Sequence, residues 1–275
     1  MSEPVPSSLG IIAGKGVYPR LLADSARRQG VAQLFAVAFR RETDPVIERY
    51  CDKVVWLHLG QLGAMLEAFR QSGVKQAVMA GQITPTTLFT VRLDRTALDV
   101  LSRLRERNAE TIFAAIGDEL KKSGIELLPA SLFMEYTMPE AGVLTKRGPT
   151  EREKSDIELG LKVAKMTSGL DIGQTVVIKE GTILAVEAFE GTDAAIRRGG
   201  EMGGAGAVVV KVAKHGHDMR FDIPVVGEHT IKVLKKIKAA ALAVEAKRTI
   251  LLDREKIVAD ADRLGFCIVA MEAGR

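Results

Sequence analysis

Acidic and basic side chains gather in three short segments of the second half of the chain, residues 170–174, 187–193 and 211–224. Each segment has a carboxylate at the edge of a predicted strand or helix. Diphosphate hydrolysis needs this chemistry, because Mg²⁺, Lys and Arg offset the charge of the transferred phosphoryl group. Mg²⁺ prefers one or two carboxylates, which can also orient the attacking water. The segments together favour such a hydrolysis, whereas a single acid is more often a helix cap or a surface ion pair.

Two glycine turns follow predicted strands in the first half. Gly14 and Gly16 lie between an apolar run and a helix that begins near Pro19, and Gly81 and Gln82 follow the fourth strand. Glycines let the backbone approach a phosphate, and a helix start supplies free N–H groups and a positive dipole. The pattern alone leaves two interpretations open at each position, a phosphate-binding loop and a tight turn without a ligand.

A nicotinamide-dependent oxidoreductase is a second hypothesis for the first half. A dinucleotide fingerprint would need a third glycine where Pro19 stands and an acidic residue after the second strand. The chain has Arg40 and Arg41 after that strand, so the pattern argues against a dinucleotide site.

Composition excludes several other classes of protein. The formal net charge of +4 is small and only 5% of residues are aromatic, so no nucleic-acid partner is expected. Cys51 and Cys267 lie far apart in apolar segments, which predicts reduced core residues. None of the four histidines is paired with a cysteine at zinc spacing. We also expect no signal peptide and no membrane-spanning segment.

The spacing of apolar runs predicts an α/β fold with two domains. In the first half, short strands alternate with helices, which predicts a Rossmann-like domain with a parallel sheet over residues 1–135. The pattern breaks up between residues 131 and 149. A smaller mixed α/β domain, the catalytic one, is expected over residues 145–275.

Several elements of the second domain can be predicted individually. Thr150 and Glu153 form a capping-box pattern, which predicts a helix from Thr150 to about residue 168, with Gly169 as the C′ residue. A short helix is expected over 192–198, followed by a glycine-rich loop over 199–206. A basic amphipathic helix over about 230–247 could pack on the core or rest on anionic lipid.

These segments resemble the UDP-2,3-diacylglucosamine pyrophosphatase family of lipid A biosynthesis, the isozyme type with two domains. The matching stretches are residues 11–19, 80–89, 144–157, 170–174, 184–193 and 211–227. They occur in order over nearly the whole chain, so together they are more specific than any single glycine loop. One departure is Lys15, which stands where the family usually has a third glycine.

The resemblance implies hydrolysis of UDP-2,3-diacylglucosamine to UMP and 2,3-diacylglucosamine 1-phosphate with Mg²⁺ as cofactor. Asp222, in the family's R-x-D-[LI]-P stretch, is expected to be the catalytic residue and a metal ligand. The residues expected to bind substrate are Gly14, Gly16, Gln82, Asp171, Gln174, Gly191, Thr192, Asp193, Lys214 and Arg220.

The resemblance also implies partners and a location. A homodimer is expected in the cytoplasm, with transient contact to the cytoplasmic membrane surface, where the lipid substrate and lipid product reside. The alternative is a nucleotide- or lipid-binding carrier or sensor that performs no catalysis.

Overall fold

The computed structural model describes residues 5–83, 91–106, 108–214, 218–221 and 223–272. The chain divides into two compact units of nearly equal length. One comprises Met1–Met134 with Asp218–Phe221, and the other comprises Glu135–His217 with Asp222–Arg275. Each unit is described separately below.

The first unit is built on a five-stranded parallel sheet with the strand order β3-β2-β1-β4-β5. Its strands are β1 Ser8–Ala13, β2 Gln33–Phe39, β3 Lys53–Leu57, β4 Gln76–Ala80 and β5 Glu126–Leu127. Its helices are α1 Tyr18–Arg28, α2 Leu62–Ser72, α3 Arg95–Ser102 and α4 Ala109–Lys122. Because a parallel sheet is covered on both faces, its strands read as apolar runs, and β1 and β2 are almost wholly buried.

Close helix packing holds this sheet in place. Phe69 of α2 is fully buried and meets Phe35 of β2 edge to face, with ring centroids 5.4 Å apart. A side chain at Gly10 of β1 would place its Cβ only 2.6 Å from the Phe69 ring. Gly10 therefore leaves the space that the aromatic ring fills.

The second unit contains a six-stranded mixed sheet with the order β6-β13-β11-β9-β7-β8 and a two-stranded sheet of β10 and β12. Its strands are β6 Gly142–Val143, β7 Thr175–Lys179, β8 Thr182–Val186, β9 Val208–Lys211, β10 Val225–Val226, β11 Ala241–Glu245, β12 Ile250–Leu251 and β13 Cys267–Met271. Its helices are α5 Glu151–Gly169, α6 Thr192–Gly203, α7 Glu228–Lys236 and α8 Arg254–Leu264. The predicted fold class, α/β with a Rossmann-like parallel sheet followed by a mixed sheet, is confirmed.

Helices cover both faces of the mixed sheet. Ile157 and Ala164 of α5 pack with Val176, Val208 and Val210 in one core. A second core holds residues from the other helices and the opposite face, namely Val177, Val209, Ile196, Leu234 and Ile257. The alternation of side chains along β7 and β9 therefore sends neighbouring residues into different cores.

The predicted capping box and the end of the helix near residue 168 are confirmed, but the predicted role of Gly169 as the C′ residue is wrong. Thr150 Oγ1 accepts a hydrogen bond from Glu153 N, and the Glu153 carboxylate accepts one from Thr150 N. Gly169 is the last residue of α5 and Leu170 is its C-cap. Glycine here ends the helix without the left-handed C′ conformation that the pattern suggested.

The expected glycine-rich loop over 199–206 is also wrong, because α6 continues to Gly203. A Cβ at Gly199 would lie 2.6 Å from Val177, and one at Gly200 would lie 2.3 Å from Ile237. These glycines allow the helix to approach the sheet and α7 closely, so tertiary packing overrides their low helix propensity.

The predicted helix over 230–247 ends much earlier. Helix α7 stops at Lys236, Lys238 adopts a φ of 51°, and residues 241–245 form β11 in the interior of the mixed sheet. All five residues of β11 are buried. Their apolar run suits a buried parallel strand as well as a helix, and periodicity alone cannot separate the two. Within the described ranges, no helix is long and apolar enough to cross a membrane.

Candidate active site

The two predicted glycine turns meet at the carboxyl edge of the parallel sheet. Strands β1 and β4 are neighbours, and the turns that follow them exchange backbone hydrogen bonds. Lys15 N donates to Gln82 O at 2.7 Å, Gln82 N donates to Lys15 O at 3.1 Å, and Gly14 N donates to Ala80 O at 2.7 Å. Because the strand order reverses at β1, this edge is the topological switch point where doubly wound sheets bind ligands. The structure thus brings Gly14, Gly16 and Gln82 together.

Each glycine at this edge has a structural reason. A Cβ at Gly14 would lie 2.8 Å from Gln82 O, and one at Gly81 would lie 2.8 Å from Lys15 O. Gly16 has a φ of +94°, and no atom of the described residues lies within 4 Å of its hypothetical Cβ. Gly14 and Gly81 therefore permit the contact between the turns, whereas Gly16 supplies a left-handed turn that leaves open space beside it.

Helix α1 starts directly after this turn. Its N-cap residue is Val17, whose own side chain makes no capping hydrogen bond. The first N–H groups of a helix have no intrahelical acceptor and carry the positive end of the dipole. An anion is therefore a suitable ligand for this end of α1.

Thr43 also supports this edge, and sequence reasoning missed it. Its hydroxyl donates to Ala13 O and accepts a hydrogen bond from Phe39 N at 2.8 Å, and the residue is buried. Thr43 therefore ties the turn after β2, which contains the exposed Arg40 and Arg41, to the end of β1. A threonine in a polar turn gives no local signal for such a long-range contact.

In the second unit, a buried polar chain spans three neighbouring strands. Lys211 at the end of β9 is the register partner of Thr175 in β7, whose carbonyl accepts from Glu187 N at 2.8 Å. Thr192, the first residue of α6, connects the two charged side chains. Its Oγ1 accepts from Lys211 Nζ at 2.7 Å and donates to Glu187 Oε1 at 2.8 Å. Thr192 was predicted as a site residue, but Lys211 and Glu187 were not.

These two charges are deeply buried. Lys211 is 5% exposed and Glu187 is 8% exposed. Oε2 of Glu187 and Oε1 of Gln174 are buried and have no hydrogen-bond partner among the described residues. A buried acceptor without a partner costs about 1 to 3 kcal/mol, so such atoms occur where a ligand, an ion or water completes the site.

The predicted pair Asp171 and Lys214 forms an ion pair. Asp171 has a φ of 57° in the turn after α5. The same turn meets the end of β8, since a Cβ at Gly173 would lie 2.1 Å from Glu187 O. Glycine at position 173 therefore lets Asp171 and Gln174 reach the edge that holds Glu187 and Lys214.

The loop between β8 and α6 is held by a second ion pair. The Arg198 guanidinium contacts Glu190 and donates to Val186 O at 2.8 Å. Burial raises the pKa of Glu190, but hydrogen bonds from Arg198 and from backbone N–H groups outweigh it, so the pKa of this carboxyl is lowered overall. Gly191 then adopts a φ of 83° as the N-cap of α6. These contacts orient the turn from which Thr192 enters the helix.

Asp193 lies in the first turn of α6, where a carboxylate complements the helix dipole. Its oxygens lie 3.2 Å from Thr230 Oγ1 and 3.2 Å from His229 Nε2. The structure therefore links Asp193 to the start of α7 rather than to the Lys211 chain.

Arg220 groups with the first unit, although sequence reasoning assigned it to the second domain. Its guanidinium pairs with Asp218, with Nε 2.8 Å from Oδ1, and lies 5.8 Å from the centroid of the Phe221 ring. The hydrogen bond with Asp218 raises the pKa of Arg220. Asp222, the predicted catalytic residue, lies outside the described residues.

The donor set at the edge of the mixed sheet suits a hard cation. Mg²⁺ prefers carboxylate and amide oxygens and binds with only one or two carboxylates. The partnerless oxygens of Glu187 and Gln174 are of this type. Over the described ranges, no group of three or more His, Cys, Asp or Glu residues is placed to hold a metal.

Comparison with known proteins identifies the family. The LpxI N-terminal domain matches residues 8–137 and the LpxI C-terminal domain matches residues 140–269. The chain belongs to the LpxI family. A member from Caulobacter vibrioides, named UDP-2,3-diacylglucosamine pyrophosphatase LpxI, is 34% identical over 277 residues, which cover 96% of this chain and 97% of that protein. The family predicted from the sequence motifs is confirmed.

Two solved structures show weak likeness to this LpxI family member. Acinetobacter baumannii RibD, form 1, has a TM-score of 0.26 at 15% identity, over 44% of this chain and 35% of that chain. The biotin carboxylase domain of Hydrogenobacter thermophilus 2-oxoglutarate carboxylase has a TM-score of 0.29 at 10% identity, over 67% of this chain and 38% of that chain. The chain thus spans little more than a third of the length of each, and scores this low support no conclusion about function.

Proposed function

We propose that this LpxI family member hydrolyses the diphosphate of UDP-2,3-diacylglucosamine to UMP and 2,3-diacylglucosamine 1-phosphate, with Mg²⁺ as cofactor, in the cytoplasm. The observation that carries this proposal is the 34% identity, over nearly the full length of both chains, to a UDP-2,3-diacylglucosamine pyrophosphatase. That relative supports the enzyme class, a hydrolase of a phosphoric anhydride, and a role in lipid A biosynthesis.

Each unit has groups suited to a nucleotide diphosphate. The first unit offers the left-handed turn at Gly16 and the start of α1, where the dipole of the helix suits a phosphate oxygen. The second unit offers the Lys214 ammonium and the uncapped start of α6 at Thr192. The proposed reaction requires groups of this kind, which offset negative charge that develops on the diphosphate oxygens.

The proposed attack depends on a carboxylate in the segment after Lys214. Asp222 would hold the ion and accept a proton from the attacking water. Mg²⁺, when bound, would supply charge that polarises the diphosphate and lowers the pKa of a bound water. Lys214, which lies beyond the end of β9, would bind the same diphosphate.

An assay of UMP release with purified substrate tests the proposal. We expect turnover with Mg²⁺, none with a chelator, and a loss of at least about 100-fold in Asp222→Ala, since one preorganised electrostatic group contributes about that much. Asp260→Ala is the matched control, because the Asp260 carboxylate pairs with the Arg263 guanidinium within helix α8.

The same assay separates the alternatives. Full turnover in Asp222→Ala would refute the assigned role of Asp222 while leaving the reaction intact. Substrate binding with no UMP over hours, with or without metal, would identify a carrier instead of an enzyme. Tight binding of NADPH in a titration would revive the oxidoreductase.

We further propose that the protein collects its lipid substrate at the membrane surface and forms a homodimer. Lys232, Lys235 and Lys236 of α7 are exposed, and such a cluster attracts anionic headgroups. Co-sedimentation with anionic and neutral vesicles tests the first idea, and light scattering tests the second. Equal, negligible binding to both vesicle types, or a monomer mass, would contradict the respective proposal.

A further inference from the structure

An ion pair between the buried Glu245 and the partly exposed Lys165 lies on the other face of the mixed sheet and holds one residue just beyond the end of β9. Glu245, the last residue of β11, is 1% exposed, and its Oε2 accepts a hydrogen bond from Ala213 N at 2.6 Å. Lys165 of α5 donates from Nζ to Ala213 O at 2.9 Å. Lys165 Nζ also lies 2.6 Å from Glu245 Oε1, as an ion pair whose geometry does not meet that of a hydrogen bond. Both polar groups of the Ala213 backbone are therefore bound by this pair.

The position of Ala213 gives the pair its consequence. Strand β9 ends at Lys211, so Ala213 lies beyond the ladder, where its peptide groups would otherwise lack strand partners. The next residue is Lys214, which forms the ion pair with Asp171. Asp171 lies in the turn after α5, the helix that also contains Lys165. The pair thus fixes the backbone from which Lys214 projects.

Stability alone is a poor reason for a Lys–Glu pair in which the carboxylate is buried and the lysine is three-quarters covered. Taking such charges out of water costs about as much as their attraction returns, and apolar residues of similar size often give an equally stable protein. Around this pair the sheet is apolar, with Val212, Ala243 and Val269 in the core on the same face. A simple packing role at this position could be filled by Met and Leu.

We propose that Lys165 and Glu245 are positioning residues, which set the backbone of Ala213 and thereby aim the Lys214 ammonium at the diphosphate. The inference rests on the proposed function for its effect on turnover, but the backbone constraint can be tested without it. Neither residue touches substrate in this proposal. Their effect passes entirely through Lys214.

The first experiment replaces the pair by apolar residues in Lys165→Met/Glu245→Leu. We expect the urea midpoint to stay close to that of the wild type, while kcat for UMP release falls about 100-fold, the cost of a 1 Å misplacement. KM should change much less, because Lys214 acts on charge that develops during the reaction. Lys165→Arg, which keeps the charge and the donor to Ala213 O, should retain most of the activity.

The second experiment asks whether the pair acts through Lys214. In a Lys214→Met background, replacing Lys165 and Glu245 should lower kcat no further, since residues that act as a unit give non-additive losses. Lys162→Met is the matched control, because this exposed lysine lies one turn earlier on α5. Unchanged kcat in the folded apolar variant would overturn the proposal, and so would losses that multiply in the Lys214→Met background.

Hydrogen exchange keeps the inference testable if the apolar variant does not fold or if the wild type shows no turnover. Lys165→Gln is the milder variant for this measurement. We expect the amides of Ala213 and Lys214 to lose protection by about tenfold or more, while the amides of β11 stay protected. Unchanged protection at 213 and 214 would overturn the positioning role. Absent turnover in the wild type would refute the proposed function alone.

Discussion

The two edges that carry the candidate site residues are built from different material. At the edge of the parallel sheet, backbone meets backbone, because Gly14 and Gly81 allow the turns after β1 and β4 to exchange hydrogen bonds. At the edge of the mixed sheet, charged side chains meet instead, with Lys211, Glu187 and Glu245 buried at strand ends.

This difference indicates how each edge should respond to mutation. The edge built from backbone contacts has little room for a Cβ, but its stability should tolerate changes of charge nearby. A side-chain site tolerates small changes of volume, but loses stability when one charge of a buried set is removed. The predictions below test this contrast, from the largest expected effect to the smallest.

Lys211→Met should have the largest effect. Without Lys211 Nζ, Thr192 Oγ1 loses a hydrogen-bond donor. The buried Glu187 carboxylate then loses the cation to which Thr192 links it. We expect the free energy of unfolding to fall by about 3 kcal/mol or more, measured by urea denaturation. Lys53→Met, at an exposed strand position in the first unit, should change stability little. A loss no larger than that of Lys53→Met would show that the charges at this edge are not energetically coupled.

Gly14→Ala should destabilise the backbone edge by about 2 to 3 kcal/mol and reduce UMP release, because the added Cβ would lie 2.8 Å from Gln82 O. Gly117→Ala is the control in the same unit. A Cβ at Gly117 would lie at an ordinary contact distance of 3.5 Å from the Arg220 guanidinium. Because Gly117 lies inside helix α4, where alanine is favoured over glycine, we expect the free energy of unfolding to rise by about 0.5 to 1 kcal/mol. The thermal unfolding of both variants tests this expectation. A loss of stability in Gly14→Ala alone indicates close backbone packing, whereas a loss in both variants indicates a general intolerance of side chains at glycine positions.

Glu153→Gln should change how stability depends on pH. Burial raises the pKa of Glu153, but hydrogen bonds from Arg147 and the Thr150 backbone outweigh it, so its pKa is lowered from the ordinary value of 4.5. A lowered pKa in the folded state contributes stability that is present above about pH 4.5 and is lost as the pH falls through the lowered value. The wild type should therefore lose more stability than Glu153→Gln over this acidic range.

A matched carboxylate in the first unit sharpens that test. The Arg70 and Gln71 side chains lower the pKa of Glu67 to about 2, yet this pair is exposed on α2. We expect Glu67→Gln to have a small effect that disappears at about 1 M salt, because exposed charges are screened. If both variants changed the free energy of unfolding equally and independently of salt, the proposed contrast between the two units would be contradicted.

The smallest effect concerns the two cysteines, one in each unit. Burial, and secondarily Asp52, raises the pKa of the Cys51 thiol to about 12, and burial also raises the pKa of Cys267. Both should remain protonated at pH 8 and react slowly with a thiol reagent in the native protein, since the thiolate is the reactive form. Denatured protein, in which both thiols should react quickly, is the control. Rapid native reaction of one thiol would contradict this expectation for its unit.

Prediction from sequence worked best where one segment carries its own signal. The apolar runs of β1 and β2, the capping box of Thr150 and Glu153, and the family motifs could all be recognised locally. It failed at residues 241–245, where an apolar run fits either a helix or a buried strand. It failed again at Gly199 and Gly200, whose role is to let α6 approach Val177 and Ile237.

The sequence by itself determined the order of strands and helices in the first unit, the position of the glycine turns and the family, because each depends on residues close together in the chain. Only the tertiary structure decided which charges meet. Lys211, Thr192 and Glu187 come together through the register of β9, β7 and β8, and Lys165 and Glu245 meet across Ala213. Except for the contact between Thr192 and Glu187, these contacts join residues well separated in sequence, and local patterns contain no information about strand register between such segments.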